Sequence, residues 1–88
     1  MERSGPIRVM VVDDHPMWRD AVARDLSEAG YDVVATAADG AQALRVAGAA
    51  RPDVVVLDLQ LPDASGVEVT RGLRAACPAA RPRPVRER

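Results

Sequence analysis

The 88-residue chain contains no lysine and no phenylalanine, and it has a single cysteine, Cys77. All twelve basic residues are arginine, and they nearly balance thirteen acidic residues to give a net charge of -1. This balance excludes a strong whole-chain attraction to nucleic acid or to an acidic membrane. Aromatic residues make up only 2% of the chain, so the core must be built from valine, leucine and alanine. One cysteine excludes an internal disulfide framework.

The chain also lacks long apolar runs. No stretch approaches the roughly 20 apolar residues that a membrane-spanning helix needs. Residues 1–6 have no apolar segment of the kind found in secretory signals, so we predict a cytoplasmic protein. The length allows one small domain. We divide it into an N-terminal extension (1–6), a folded domain (7–77) and a C-terminal tail (78–88).

Within the folded domain, strand and helix patterns alternate. Valine-rich runs within 7–12, 31–37 and 53–57 are typical of strands, and the first and third of these look buried on both faces. Helical spacing of apolar residues begins near Pro16, after Gly40 and near Val67. The resulting β-α-β-α-β-α order predicts an α/β fold with a parallel sheet and right-handed crossovers.

Acidic residues follow two of the predicted strands. Asp13 and Asp14 close the first strand, and Asp58 closes the third. If the strand order is 2-1-3, these strands are neighbours roughly 5 Å apart, and their carboxyl ends share the edge where open α/β sheets bind ligands. A single aspartate there is an ordinary solvated strand end. Three carboxylates need a proton or a cation, and oxygen ligands of this kind suit Mg²⁺.

Two motifs resemble the receiver domain of bacterial two-component response regulators, in particular the LuxR/NarL-type subfamily. They are Val-Val-Asp-Asp-His-Pro at 11–16 and Val-Leu-Asp-Leu-Gln-Leu-Pro-Asp-Ala-Ser-Gly at 56–66. The resemblance implies a flavodoxin-like (CheY-like) doubly wound parallel sheet, here with three strands in the order 2-1-3. It also implies that Asp58 accepts a phosphoryl group from a sensor histidine kinase. Mg²⁺ would be held by Asp13, Asp14, Asp58 and the backbone carbonyl of Gln60, and His15 is not assigned as a ligand.

The chain departs from this family after its third helix. A complete receiver has five strands, five helices, a Ser or Thr ending strand four and a Lys ending strand five, whereas here no Ser or Thr follows Thr70. We therefore expect a C-terminally truncated, non-enzymatic receiver module with an incomplete sheet of three strands. Its stable phosphorylation would be weak or absent, and it would not switch. DNA binding would require an output domain absent here.

Truncation predicts an exposed edge at strand 54–57, which would favour self-association. The Arg- and Pro-rich tail has no apolar periodicity and is predicted to be disordered. A frameshift is one explanation of its composition. GC-rich codons for 81–88, read one base forward, can encode Val-Leu-Val-Leu-Ser-Ala, a strand of the kind the family has next. A native arginine tail is the alternative.

Two other functions are consistent with the acidic residues. One is a Mg²⁺-dependent phosphohydrolase with an aspartate nucleophile. That chemistry usually uses an acid two residues beyond the nucleophile, and glutamine at position 60 cannot protonate a leaving group. The other is a decoy that binds a kinase without switching. Turnover of a phosphomonoester would favour the first, and kinase binding without phosphotransfer would favour the second.

Overall fold

The computed structural model describes residues 5–58 and 60–85. Strands and helices alternate along the chain as the sequence predicted, with one strand more than expected. In order they are β1 (Arg8–Val12), α1 (Pro16–Glu28), β2 (Asp32–Ala37), α2 (Gly40–Ala50), β3 (Val54–Asp58), α3 (Gly66–Ala76) and β4 (Arg81–Val85). None of the helices in the described part is long and apolar enough to cross a bilayer.

The strands form one parallel sheet in the order β2-β1-β3-β4. The predicted order 2-1-3 is therefore confirmed, and β4 lies outside β3. From β1 to β2 the chain crosses the sheet towards one edge, and from β2 to β3 and then β4 it crosses towards the opposite edge. Right-handed crossovers consequently put α1 on one face of the sheet and α2 and α3 on the other.

The core lies mainly between the sheet and the face that carries α2 and α3. Side chains alternate across a strand, so every second residue of β1 and β3 points to this face. The largest fully buried members of this core are aliphatic, as the shortage of aromatics requires: Met10, Val12, Val55, Leu57, Val69 and Leu73. On the opposite face α1 buries none of its residues completely, although Val9 and Val11 beneath it are buried.

Local sequence explains where α2 begins and ends. The Asp39 side chain accepts a hydrogen bond from the backbone N–H of Gln42 at 2.8 Å, which satisfies one of the unpaired donors of the first turn. The helix stops at Arg51, which takes a left-handed conformation (φ 52°) immediately before Pro52. The helix ends at this dipeptide because a residue before proline resists the α conformation.

The tail departs from the sequence-based prediction. Residues 81–85 form β4, paired in register with β3 from Val54↔Arg81 to Asp58↔Val85. The prediction of disorder for 78–88 is therefore wrong for these five residues, while 86–88 lie outside the described residues. The sheet consequently has four strands rather than three.

The proline spacing explains how an Arg-Pro-Arg-Pro-Val segment can be a strand. Successive residues of a parallel strand direct their N–H groups to opposite sides. The N–H of Arg81 donates to the carbonyl of Asp53 at 2.9 Å, so Arg83 and Val85 also face β3. Pro82 and Pro84 then occupy the outward positions, where a missing N–H costs no hydrogen bond inside the sheet.

Strand β3 is not an exposed edge. It pairs with β1 on one side and with β4 on the other. The predicted self-association through the exposed strand 54–57 therefore rests on a wrong premise, because β4 already occupies the hydrogen-bonding groups of that side. The outer edge of the sheet belongs to β4.

Candidate functional site

Two buried carboxylates lie side by side at the carboxyl edge of the sheet. Val12 and Leu57 are in register on neighbouring strands, so Asp13 and Asp58, which follow them, reach the same edge. Asp13 is 4% exposed and Asp58 is 3% exposed. Aspartate is seldom buried this deeply unless its charge is paired or coordinated. Strand pairing thus brings together the first and third predicted acidic positions.

The turn after β1 holds a compact polar group. The Asp13 Oδ1 accepts a hydrogen bond from the backbone N–H of His15 at 2.9 Å, and the Asp13 carbonyl accepts one from the Arg19 guanidinium at 2.9 Å. Asp14 is half-buried beside them. One ligand atom from each of Asp13, Asp14 and His15 lies within 4.8 Å of the others. The Asp58 carboxylate lies at the same edge of the sheet, but it is not part of this three-residue cluster.

His15 is closer to the carboxylates than the sequence suggested. Its Nδ1 is 3.2 Å from Asp14 Oδ1 and 3.7 Å from Asp13 Oδ1, while its ring is more than half exposed. Adjacency to the aspartate pair is the only sequence feature that could have indicated this contact. A protonated imidazole here would offset part of the negative charge of the turn.

The loop after β3 folds back over the acidic edge. The backbone N–H of Gln60 donates to Asp58 Oδ1 at 3.0 Å, and Gln60 and Ser65 form an isolated antiparallel bridge. Ser65 then begins α3 with a capping box: Glu68 N–H donates to Ser65 Oγ at 3.1 Å, and Ser65 N–H donates to the Glu68 carboxylate at 2.9 Å. The backbone of Gln60, a predicted ligand, is thus held close to the Asp58 carboxylate, two residues after Asp58 in the chain.

Asp63 connects this loop to α2, a contact that sequence reasoning missed. Its carboxylate accepts hydrogen bonds from the backbone N–H groups of Gly40 at 2.8 Å and Ala41 at 3.0 Å. These are the first two residues of α2, where N–H groups have no partner inside the helix and the helix dipole favours a negative charge. The two donors lower the pKa of Asp63 below its ordinary value of 3.8, with Gly40 the larger cause.

The lowered pKa makes a prediction about acid stability. Ionised Asp63 stabilises the folded state above pH 3.8, and that contribution is lost as the pH falls through the lowered pKa. We expect Asp63→Asn to reduce the free energy of unfolding more at pH 6 than at pH 3. Urea unfolding at both pH values checks this, with Asp20→Asn on the exposed surface of α1 as the control. Equal losses for Asp63→Asn at the two pH values would contradict it.

The donor set of the edge fits a hard divalent cation. Asp13, Asp14 and Asp58 offer carboxylate oxygens, and the Gln60 carbonyl is a further oxygen on an adjoining loop. Mg²⁺ takes such ligands and retains water molecules, so one or two direct carboxylates are sufficient. A cation would also neutralise the two carboxylates that the sheet buries next to each other. The arrangement can therefore hold a metal beside the side chain of Asp58.

Comparison with known proteins defines the class. Residues 9–81 match the family described as the response regulator receiver domain, and the chain belongs to this family. The matched region contains all the predicted site residues. It ends at Arg81, the first residue of β4.

Individual relatives share the same region. The chain is 52% identical over 66 residues to the transcriptional regulatory protein KdpE of Mycobacterium tuberculosis, covering 75% of this chain and 29% of KdpE. It is 46% identical over 74 residues to protein-glutamate methylesterase/protein-glutamine glutaminase 2 of Anaeromyxobacter dehalogenans, covering 83% and 22%. The solved structure of a LuxR-family two-component response regulator from Aurantimonas superposes with a TM-score of 0.87 and 41% identity, covering 96% of this chain and 61% of the other.

The chain spans less than a third of the length of these two curated relatives. One of them is named as a transcriptional regulator and the other as a methylesterase, so the region they share with this chain is the receiver domain. The similarity therefore establishes a signalling module of two-component systems. It does not extend to the other activities of those proteins.

Proposed function

We propose that Asp58 accepts a phosphoryl group from a sensor histidine kinase, with Mg²⁺ held by Asp13, Asp14, Asp58 and the Gln60 carbonyl. The observation that carries this proposal is the pairing of Val12 with Leu57, which leaves two buried carboxylates adjacent at the edge of the sheet. Membership of the receiver family supports the assignment of Asp58 as the acceptor. His15 belongs to the same turn, and we assign it no ligand role.

The proposed reaction is a transfer between two side chains. A carboxylate oxygen of Asp58 bonds to the phosphorus, the P–N bond to the kinase histidine breaks, and its electron pair returns to the imidazole nitrogen. Bound Mg²⁺ would screen the repulsion between the carboxylate and the incoming phosphoryl oxygens. The N–H of Gln60, which donates to Asp58 Oδ1, fixes the orientation of the nucleophile.

We propose that this receiver accepts phosphate without the switch that its family uses. In the family a hydroxyl at the end of strand four follows the phosphoryl group. The β4 residue in register with Asp58 is Val85, which has no hydroxyl. We therefore expect a labile, substoichiometric phosphoprotein.

The same register supports the frameshift hypothesis for the C-terminal residues. With codons that permit it, the alternative reading frame would give Val-Leu-Val-Leu-Ser at 81–85, with serine at position 85. That is the position paired with Asp58 in the sheet. The nucleotide sequence tests the hypothesis, since codons unable to give this second reading would eliminate it.

Labelling with acetyl phosphate tests the proposed function. In the presence of Mg²⁺ a fraction of the wild-type chain should gain the mass of one phosphoryl group, seen by intact mass spectrometry after rapid quenching. Asp58→Ala should gain none, because no carboxylate remains to attack the phosphorus. Removal of Mg²⁺ with EDTA should abolish labelling of the wild type.

Asp20→Ala, an exposed aspartate on α1, is the matched control and should label like the wild type. Equal labelling of Asp58→Ala would show that another residue is the acceptor. A wild-type chain that takes up no phosphoryl group under any Mg²⁺ concentration would contradict the proposal altogether.

A further inference from the structure

We infer that Asp63 is a positioning residue for the acidic site, acting through the loop that carries Gln60. This inference rests on the proposed function, because it concerns the geometry of the ligands assigned there. Asp63 itself touches neither the acceptor nor the other carboxylates. Its carboxylate accepts hydrogen bonds from the first two N–H groups of α2, which lie 23 and 22 residues earlier in the chain.

The start of α2 is shaped to receive this carboxylate. A Cβ atom at position 40 would lie 3.2 Å from Asp63 Oδ1 and 3.2 Å from the Cβ of Ala64. It would also lie 2.9 Å from Cγ2 of Val69, a buried residue of α3 that cannot move aside easily. Glycine is therefore required at position 40 for the loop after β3 to approach this closely. The contact therefore joins two closely packed segments, although the Asp63 side chain itself lies at the surface.

The junction closes a ring of contacts around the site. On one side, the N–H of Asp13 donates to the carbonyl of Ala37 at 3.0 Å, and Ala37 leads within three residues to Gly40. On the other side, Asp63 leads back through the loop to Gln60, whose N–H donates to Asp58. The two segments that carry the carboxylates are thus joined by the sheet and joined again through Asp63.

The β2–α2 turn is itself held in place, which makes the ring stiff. The N–H of Ala38 donates to the side chain of Gln42 at 2.8 Å, and the side chain of Asp39 accepts from the N–H of Gln42 at 2.8 Å. The anchoring point offered to Asp63 is therefore fixed. Breaking the Asp63 contact removes the tie between this loop and α2, so the direction of the Gln60 carbonyl then rests on the Gln60–Ser65 bridge and on the Gln60 N–H bond to Asp58.

Asp39 provides a matched control, because it caps the same helix without contacting the loop. Asp39→Ala and Asp63→Ala each remove an acceptor from the α2 N-terminus, so both should destabilise the domain modestly. Only Asp63→Ala should weaken binding of Mg²⁺, by about 10-fold, the lower end of the range for residues that orient metal ligands. Asp63→Asn keeps an acceptor for one of the two N–H groups and should fall between the wild type and Asp63→Ala.

The experiment is a Mg²⁺ titration followed by two-dimensional ¹H–¹⁵N NMR of the wild-type chain and the three variants, all in Mg²⁺-free buffer at the start. The titration gives the dissociation constant. The starting spectra report the backbone amide resonance of Gln60, which should shift in Asp63→Ala and keep its wild-type position in Asp39→Ala. A general loss of stability would shift this resonance in both variants.

The outcomes separate the inference from the proposed function. If the wild type binds no Mg²⁺, the proposed metal site is wrong, and the Gln60 amide alone decides whether Asp63 positions the loop. If the wild type binds Mg²⁺ and Asp63→Ala binds it equally well, the inference is wrong while the proposed function stands. An unshifted Gln60 amide in Asp63→Ala would also overturn it.

Discussion

Replacing Leu73 with alanine should lower the free energy of unfolding by about 2–5 kcal/mol. Leu73 is 1% exposed and lies in the core that α3 forms with the sheet. The substitution removes apolar contacts and leaves a cavity that the neighbouring aliphatic side chains can fill only in part. Since a small domain has about 5–15 kcal/mol in total, this one change removes a large share of the stability.

Urea unfolding followed by circular dichroism measures the change. Val67→Ala on the same helix is the control, because Val67 is 61% exposed. It should change the free energy of unfolding by no more than about 0.5 kcal/mol. Similar losses for the two variants would mean that α3 does not pack on the sheet through Leu73.

Replacing Pro82 and Pro84 together with valine should make the chain self-associate more strongly than the wild type. Both prolines occupy outward positions of β4, and they leave its outer edge without N–H donors at these two residues. Valine restores both donors and favours the strand conformation. An edge with a full set of donors and acceptors is a template for pairing with a second chain.

Sedimentation velocity at several protein concentrations checks this expectation. The double variant should show a concentration-dependent increase in sedimentation coefficient, while the wild type should not. Pro78→Val, in the turn before β4, makes the same chemical change outside the strand and should behave like the wild type. A double variant that stays monomeric over the whole range would show that the prolines do not protect the edge.

Much of the fold could be predicted because its causes are local. The valine runs of β1 and β3 have no polar face, which is characteristic of strands covered on both sides. Helical spacing between strands then forces a parallel sheet, and the handedness of crossovers limits the strand order. The shared edge for Asp13 and Asp58 follows from that order, and the register of Val12 with Leu57 confirms it.

The fourth strand could not be predicted in the same way. Composition treats Arg81–Val85 as a polar, proline-rich segment, and each proline taken singly argues against a strand. The strand is possible because both prolines occupy positions where a backbone N–H would point away from β3. Those positions can be identified only when the partner strand and its register are known.

Asp63 was missed for a related reason. Its role depends on two N–H groups at the start of α2 and on the absence of a Cβ at Gly40. In the sequence it is simply one more loop aspartate beside Pro62. No pattern of spacing indicates a contact across 23 residues.

By itself the sequence determined the alternation of strands and helices, the order of the first three strands and the edge at which the acidic residues meet. Periodicity suffices for the alternation because it acts within a segment, whereas the strand order, and the shared edge that follows from it, came from the resemblance to receiver domains. Only the tertiary structure decided that residues 81–85 complete the sheet and that Asp63 joins the acceptor loop to α2. Both depend on which backbone N–H groups face which acceptors, and that is settled only when distant segments pack together.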